Sequence, residues 1–117
     1  MAFSEITGSE TVTTTEWSLV DDTSYVAGDG STTEGVYELW LEIASIASGD
    51  VFVVKAYDKV QSGSTQREVD SWIINGPPSA AAIRTVAFHF KHGWNFTIIK
   101  SAGTDRVVTW SIRGVVV

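Results

Sequence analysis

Val36-Tyr37-Glu38-Leu39-Trp40-Leu41-Glu42-Ile43 is the stretch that decides the fold. Tyr37, Leu39, Leu41 and Ile43 share one parity, while Glu38, Trp40 and Glu42 share the other. In an extended chain alternate side chains point to opposite faces, so the octet predicts a strand with one buried and one wet face, and Trp40 on the wet side. The same period of two runs outward in both directions. Ser48, Gly49 and Asp50 make a turn into a strand expected over 51–60, where Phe52, Val54 and Ala56 oppose Lys55, Tyr57 and Lys59. Ser62-Gly63-Ser64 returns the chain as a strand over 65–75; there Trp72 has the parity of Asp70, which leaves its side open. Gly76, Pro77 and Pro78 stop that strand because proline has no N–H for a ladder. Ala80, Ala81 and Ala82 suit a single helical turn. Further strands are expected over 83–91 with Val86, Phe88 and Phe90 inward, over 94–100 with Trp94, Phe96 and Ile98 aligned, and over 107–117 with Val108, Trp110 and Ile112 aligned. On the amino-terminal side a first strand is expected over 11–20, with Trp17 and Leu19 on one face, followed by a long loop of Asp, Gly, Ser and Thr over 21–35.

Short alternating segments joined by Gly, Ser, Asp and Pro turns define an all-β chain, and the expectation is an antiparallel β-sandwich with jelly-roll or Greek-key wiring. A closed barrel is the alternative. The polar stretch 1–10 reads as an extended amino-terminal arm, dispensable for folding, ahead of a single domain over 11–117. A chain of 117 residues, 44% hydrophobic and 19% charged, has the size and composition of one globular domain. With no cysteine it makes no disulfide and offers no thiolate to a nucleophilic or metal site. A net charge of −6 with scattered basic residues disfavours nucleic acid as a partner. No run approaches the roughly 18 apolar residues that cross a bilayer, and residues 1–10 lack the character of a secretory signal, so no membrane partner is expected and the producing cell's cytosol is the expected place of synthesis.

No catalytic constellation stands out, and the chain is read as having no enzymatic activity and no cofactor. His89 and His92 lie three apart on a strand and should diverge, which disfavours a shared metal. Asp21, Asp22 and Asp29 do not have the spacing of a regular calcium loop. The carboxylate pairs Asp21/Asp22, Glu38/Glu42 and Glu68/Asp70 carry nothing that marks one member as a general acid. The five tryptophans are more informative. Trp17, Trp94 and Trp110 share parity with apolar neighbours and are expected in the core, where burying an indole contributes on the order of 2–3 kcal/mol. Trp40 is expected outside, either as a protein or sugar contact or covered by the 21–35 loop. The residues put forward as protein contacts are Phe3 and Ile6 in the arm, Trp40, Trp72, and the terminal Val115, Val116 and Val117. Three valines at the end of the chain either finish an edge strand or pair with a neighbouring subunit.

From Gly49-Asp50-Val51-Phe52 through Lys55-Ala56-Tyr57-Asp58-Lys59-Val60 and Thr65-Gln66-Arg67 to Gly93-Trp94, Ala102-Gly103-Thr104-Asp105-Arg106 and Trp110-Ser111-Ile112-Arg113, the chain resembles small structural proteins of tailed-bacteriophage virions. The resemblance spans about residues 36–113. It implies a capsid decoration, or cement, protein that sits on the outer surface of the head and clamps major capsid protein subunits, commonly as a homotrimer. A tail or baseplate component is the alternative within that class. From outside it, the alternative is a carbohydrate-binding module with Trp40, Trp72 or Tyr57 as an aromatic platform.

Overall fold

The computed structural model describes residues 2–117. It contains ten strands and, among the described residues, no helix: β1 (Ala2–Val12), β2 (Trp17–Ser18), β3 (Thr23–Ser24), β4 (Gly35–Glu42), β5 (Val51–Asp58), β6 (Arg67–Asn75), β7 (Ala82–Arg84), β8 (Phe88–Phe90), β9 (Asn95–Ala102) and β10 (Arg106–Val116). Sheet A has the order β1-β10-β4-β7, with β8 also on β4; sheet B has the order β3-β2-β9-β5-β6. Every pairing is antiparallel. β7 and β8 lie along the same edge of β4 and act as one interrupted strand. The chain changes sheet at most of its loops, which is the wiring of a jelly-roll sandwich. The expected class is therefore the observed one, with two separate packed sheets in place of a closed barrel.

The core lies between the sheets. Tyr37, Leu39, Leu41 and Ile43 are buried, as the opening octet requires, and Phe52, Val54, Ala56, Phe96, Ile98, Val108 and Ile112 meet them. Trp94 and Trp110 are buried with their polar ends satisfied: Trp94 Nε1 donates to the Thr33 carbonyl at 3.0 Å and Trp110 Nε1 to the Leu19 carbonyl at 2.9 Å. Each indole thus fastens a loop to the core. Gly8 sits opposite Trp110 in the β1–β10 ladder, and a Cβ there would fall 2.3 Å from the indole ring. The ring occupies the space that any side chain at position 8 would need.

Several expectations are corrected. β1 begins at Ala2, and residues 2–12 pair with β10 along their whole length. The segment read as a dispensable arm is an edge strand, and at Gly8 its backbone lies over the Trp110 ring. The first strand does not run over 11–20, because β1 ends at Val12 and the chain crosses to sheet B at Trp17. Trp17 is only half-buried, and its Nε1 reaches the Asp22 carboxylate at 3.1 Å. The strand expected over 83–91 is broken at 85–87, turning Val86 outward to 64% exposure. Thr85 causes this locally, since its N–H binds the Leu39 carbonyl while its hydroxyl accepts from the Leu39 N–H at 3.1 Å. No helical turn forms at 80–82; Ala82 already belongs to β7. The terminal valines lie on no edge, because β10 runs between β1 and β4.

Candidate interaction surface

Cross-strand register sorts the outer face of sheet A into rows. Phe3, Val115, Val36 and His89 align across β1, β10, β4 and β8. The next row is Glu5, Arg113 and Glu38; the next is Thr7, Ser111, Trp40 and Arg84; then Ser9, Thr109, Glu42 and Ala82. An apolar row therefore borders a row of alternating charge, which borders a tryptophan. Phe3 is 91% exposed, and Val36 and Val117 are also exposed.

Trp40 does point away from the core, and arginines cover it where the 21–35 loop does not. The Arg113 guanidinium lies 4.2 Å from the ring centroid and that of Arg84 5.8 Å, both within cation–π range. The arginines are themselves held by acids. Arg84 meets Glu38 at 2.7 Å, and Arg113 lies 3.7 Å from Glu5. The Ser111 hydroxyl donates to Glu5 at 2.6 Å and accepts from Arg113 Nε at 3.1 Å. Among the described residues, the buried Trp40 Nε1 finds no hydrogen-bond partner. A shallow groove of about 680 Å³ runs beside it over Thr7, Ser9, Glu42 and Thr109.

Of the seven residues put forward from sequence, the fold brings Phe3, Trp40 and Val115 to this face, with Val117 exposed at its end. The other three turn inward. Ile6, Trp72 and Val116 are half-buried against the core, and Trp72 stands edge-on to Phe88 with centroids 5.8 Å apart. Sequence reasoning missed Val36, Arg84 and Arg113. The outward side of Arg113 follows from its parity with Thr109 and Ser111, but its place over Trp40 depends on β10 pairing with β4, and the approach of Arg84 on β7 docking beside β4. None of the three rings suggested as a sugar platform presents an open face: Arg113 lies over Trp40, Trp72 faces the core, and Tyr57 stacks on Tyr25 at 4.8 Å.

The outer face of sheet B has a different character. The long connection between β2 and β4 covers one end of it as a strap, over Tyr57 and Gln66, while at the other end Ile73 of β6 stands 66% exposed. Gln66 accepts from the Tyr25 hydroxyl at 2.6 Å and from the Gly28 N–H at 3.1 Å, and donates to the carbonyls of Asp29 at 2.7 Å and Gly93 at 3.1 Å. Beneath the strap Tyr57 donates to Glu16 at 2.6 Å, and Thr97 donates to the same oxygen. Burial, and then the Glu16 carboxylate, push the Tyr57 phenol far above its ordinary value, so it stays a proton donor. Asp21, Asp22 and Asp29 are spent on separate local contacts with Ser18, Trp17 and the Val26 N–H. Among the described residues no three acids or histidines gather as metal ligands, and His89 instead meets Glu34 at 2.9 Å.

These features define an all-β jelly-roll with one bare and one strapped outer face. No family model matches the chain, and no curated protein matches it in sequence. Among solved structures it is similar to a chain from Bacillus endospore appendages, described as a novel family of disulfide-linked pili, with a TM-score of 0.53 and 12% identity over 99% of this chain and 88% of that one. At that identity the likeness is one of fold. This chain has no cysteine and forms no disulfide link of its own.

Proposed function

We propose that this protein is a non-enzymatic structural subunit that acts by protein–protein contact through the outer face of sheet A, as a decoration protein on the head of a tailed phage, made in the host cytoplasm and bound to the major capsid protein. The observation that supports this reading is the juxtaposition of Phe3, Val36 and Val115 with the Trp40–Arg113–Arg84 stack on a face that no loop covers. Aromatic residues and arginine are the residue types enriched where partners dock, and a contiguous apolar patch rimmed by charge is the usual form of such a surface. The jelly roll is an architecture used by capsid domains, and the solved chain of similar fold comes from a pilus. The virion setting rests on the sequence resemblance.

Co-sedimentation of the purified protein with emptied phage heads, alongside its solution mass by light scattering, tests the reading. Saturable binding that Phe3→Ser and Trp40→Ala weaken is the expected result. Protein that never pellets with heads and stays monomeric at all concentrations would overturn it.

A further inference from the structure

The four sheet edges are not equally guarded. β3 has two residues, and β7 and β8 have three each with a break between them. β6 is long but carries Arg67, Glu68 and Asp70, faces a register shift at Ala56/Tyr57, and runs into Pro77-Pro78. Charges, bulges, prolines and brevity are the devices that keep edges from pairing with other chains. β1 has few of them. Its eleven residues, Ala-Phe-Ser-Glu-Ile-Thr-Gly-Ser-Glu-Thr-Val, include no proline, lysine or arginine and pair with β10 in unbroken register. At about 3.4 Å per residue this is roughly 37 Å of edge backbone, on which the Thr11 N–H already donates to the neighbouring Glu10 carboxylate at 2.9 Å and would have to exchange that partner.

We infer that β1 pairs antiparallel with β1 of a second copy of this chain, about a two-fold axis at Thr7, joining two A sheets into one. The inference rests on the structural-subunit reading and adds the partner and the contact. Two observations select the occupant and the register. First, a two-fold perpendicular to the sheet keeps both outer faces on the same side, and only the register that places Thr7 against its own equivalent overlaps all eleven residues. In that register Glu5 faces Ser9 and Glu10 faces Ser4 of the other copy, so no like charges oppose. Glu5 is also drawn toward its own β10 by Ser111 and Arg113, away from the free edge. Second, the same register sets Ile6 beside Gly8 of the other copy. Ile6 is left half-exposed in the single chain, and Gly8 is the point where the Trp110 ring lies under bare backbone. The two copies would cover each other's Ile6 against the opposing Trp110.

The pairing also fixes how the two interaction surfaces stand. Both Trp40–arginine stacks lie on one side of the joined sheet, with four strands between them, so a partner lattice would be gripped twice from the same side. A three-fold arrangement is heterologous and cannot set β1 against itself, which makes this a departure from the trimer that the sequence resemblance implies.

Because the chain has no cysteine, single cysteines report the register without background. Paired Cα atoms across an antiparallel ladder lie within disulfide reach, so Thr7→Cys should form a covalent dimer under mild oxidation at least about tenfold faster than Glu5→Cys or Ser9→Cys alone. Mixing Glu5→Cys with Ser9→Cys should restore cross-linking. Thr7→Lys should raise the concentration needed for dimerisation by about tenfold through charge repulsion at the axis, and an equimolar mixture with Thr7→Glu should recover it. An unchanged far-ultraviolet circular dichroism spectrum checks that these exposed variants fold, since melting itself shifts with dimerisation. Equal cross-linking by all three single cysteines, absence of a Thr7→Cys dimer, a trimeric mass, or open-ended growth through β1 on β6 would each overturn the inference. Monomers that bind heads without the Thr7→Cys dimer would sink the pairing and spare the functional reading; a Thr7→Cys dimer that ignores heads would do the reverse.

Discussion

The two outer faces of this sandwich begin from the same alternating strands and end in opposite conditions. On sheet B the β2–β4 connection folds back as a strap, and Asn95, Thr97 and Ser18 beneath it are as buried as core residues. On sheet A, among the described residues, no long loop folds back; Arg84 and Arg113 lie over Trp40, and Phe3 stands in solvent. Exposure on an outer sheet face is set by where the long loop goes. Under the strap polar groups are buried and bonded across elements, as Gln66 and Glu16 are, whereas on sheet A they pair side by side in the open, as Arg84 with Glu38 and Arg113 with Glu5.

Substitutions on the two faces should differ in their effect on stability. The largest effect is expected at Trp110, on the inner side of the bare sheet: Trp110→Ala should cost about 3–5 kcal/mol, because it leaves a cavity under Gly8 and frees the Leu19 carbonyl. Chemical denaturation would measure it as a lower midpoint. Next comes the strap. Gln66→Ala removes four hydrogen bonds, and a loss of about 2–3 kcal/mol is expected as buried partners go unpaired; faster amide exchange confined to residues 23–31 would show the strap lifting. A loss spread evenly over both sheets would mean that the strap is no separate cover.

At the seam between the sheets, Asp50 provides a pH test. The N–H groups of Thr104 and Ala47, then Arg106, hold its carboxyl well below the ordinary 3.8, at about 2. The unfolded chain therefore takes up this proton near 3.8 and the folded one only near 2, so the stabilisation is complete above the first value and is lost as pH falls through the second. Asp50→Asn should be less stable than the wild type at neutral pH, with the gap closing between pH 5 and 2 in urea titrations. A gap that is constant across that range would contradict the role given to the charge. The smallest stability effect is expected on the bare face, where Trp40→Ala should cost no more than about 1 kcal/mol for two partly exposed cation–π contacts, read as a small shift in melting temperature. A loss comparable to that of Trp110→Ala would show that Trp40 is structural.

Within the chain, local alternation by itself determined the all-β class, the inward residues of β4, β5, β9 and β10, and the outward direction of Trp40, because strand parity is a property of neighbouring residues. It failed where side chains beyond the strand set the outcome. Residues 1–10 read as an arm because Ser, Thr and Glu alternate there with few apolar partners, and only the pairing with β10 makes them a strand. Val86 read as inward until Thr85 turned back onto Leu39. Tyr57 had the right parity for an exposed platform, yet the strap buried it. The gathering of Phe3, Val36, Val115, Arg84 and Arg113 around Trp40 was decided by tertiary structure alone, since it requires the two ends of the chain to lie side by side and β7 to dock on β4. Parity is local, whereas register between distant strands and the path of a long loop are fixed only when the two sheets close over one core.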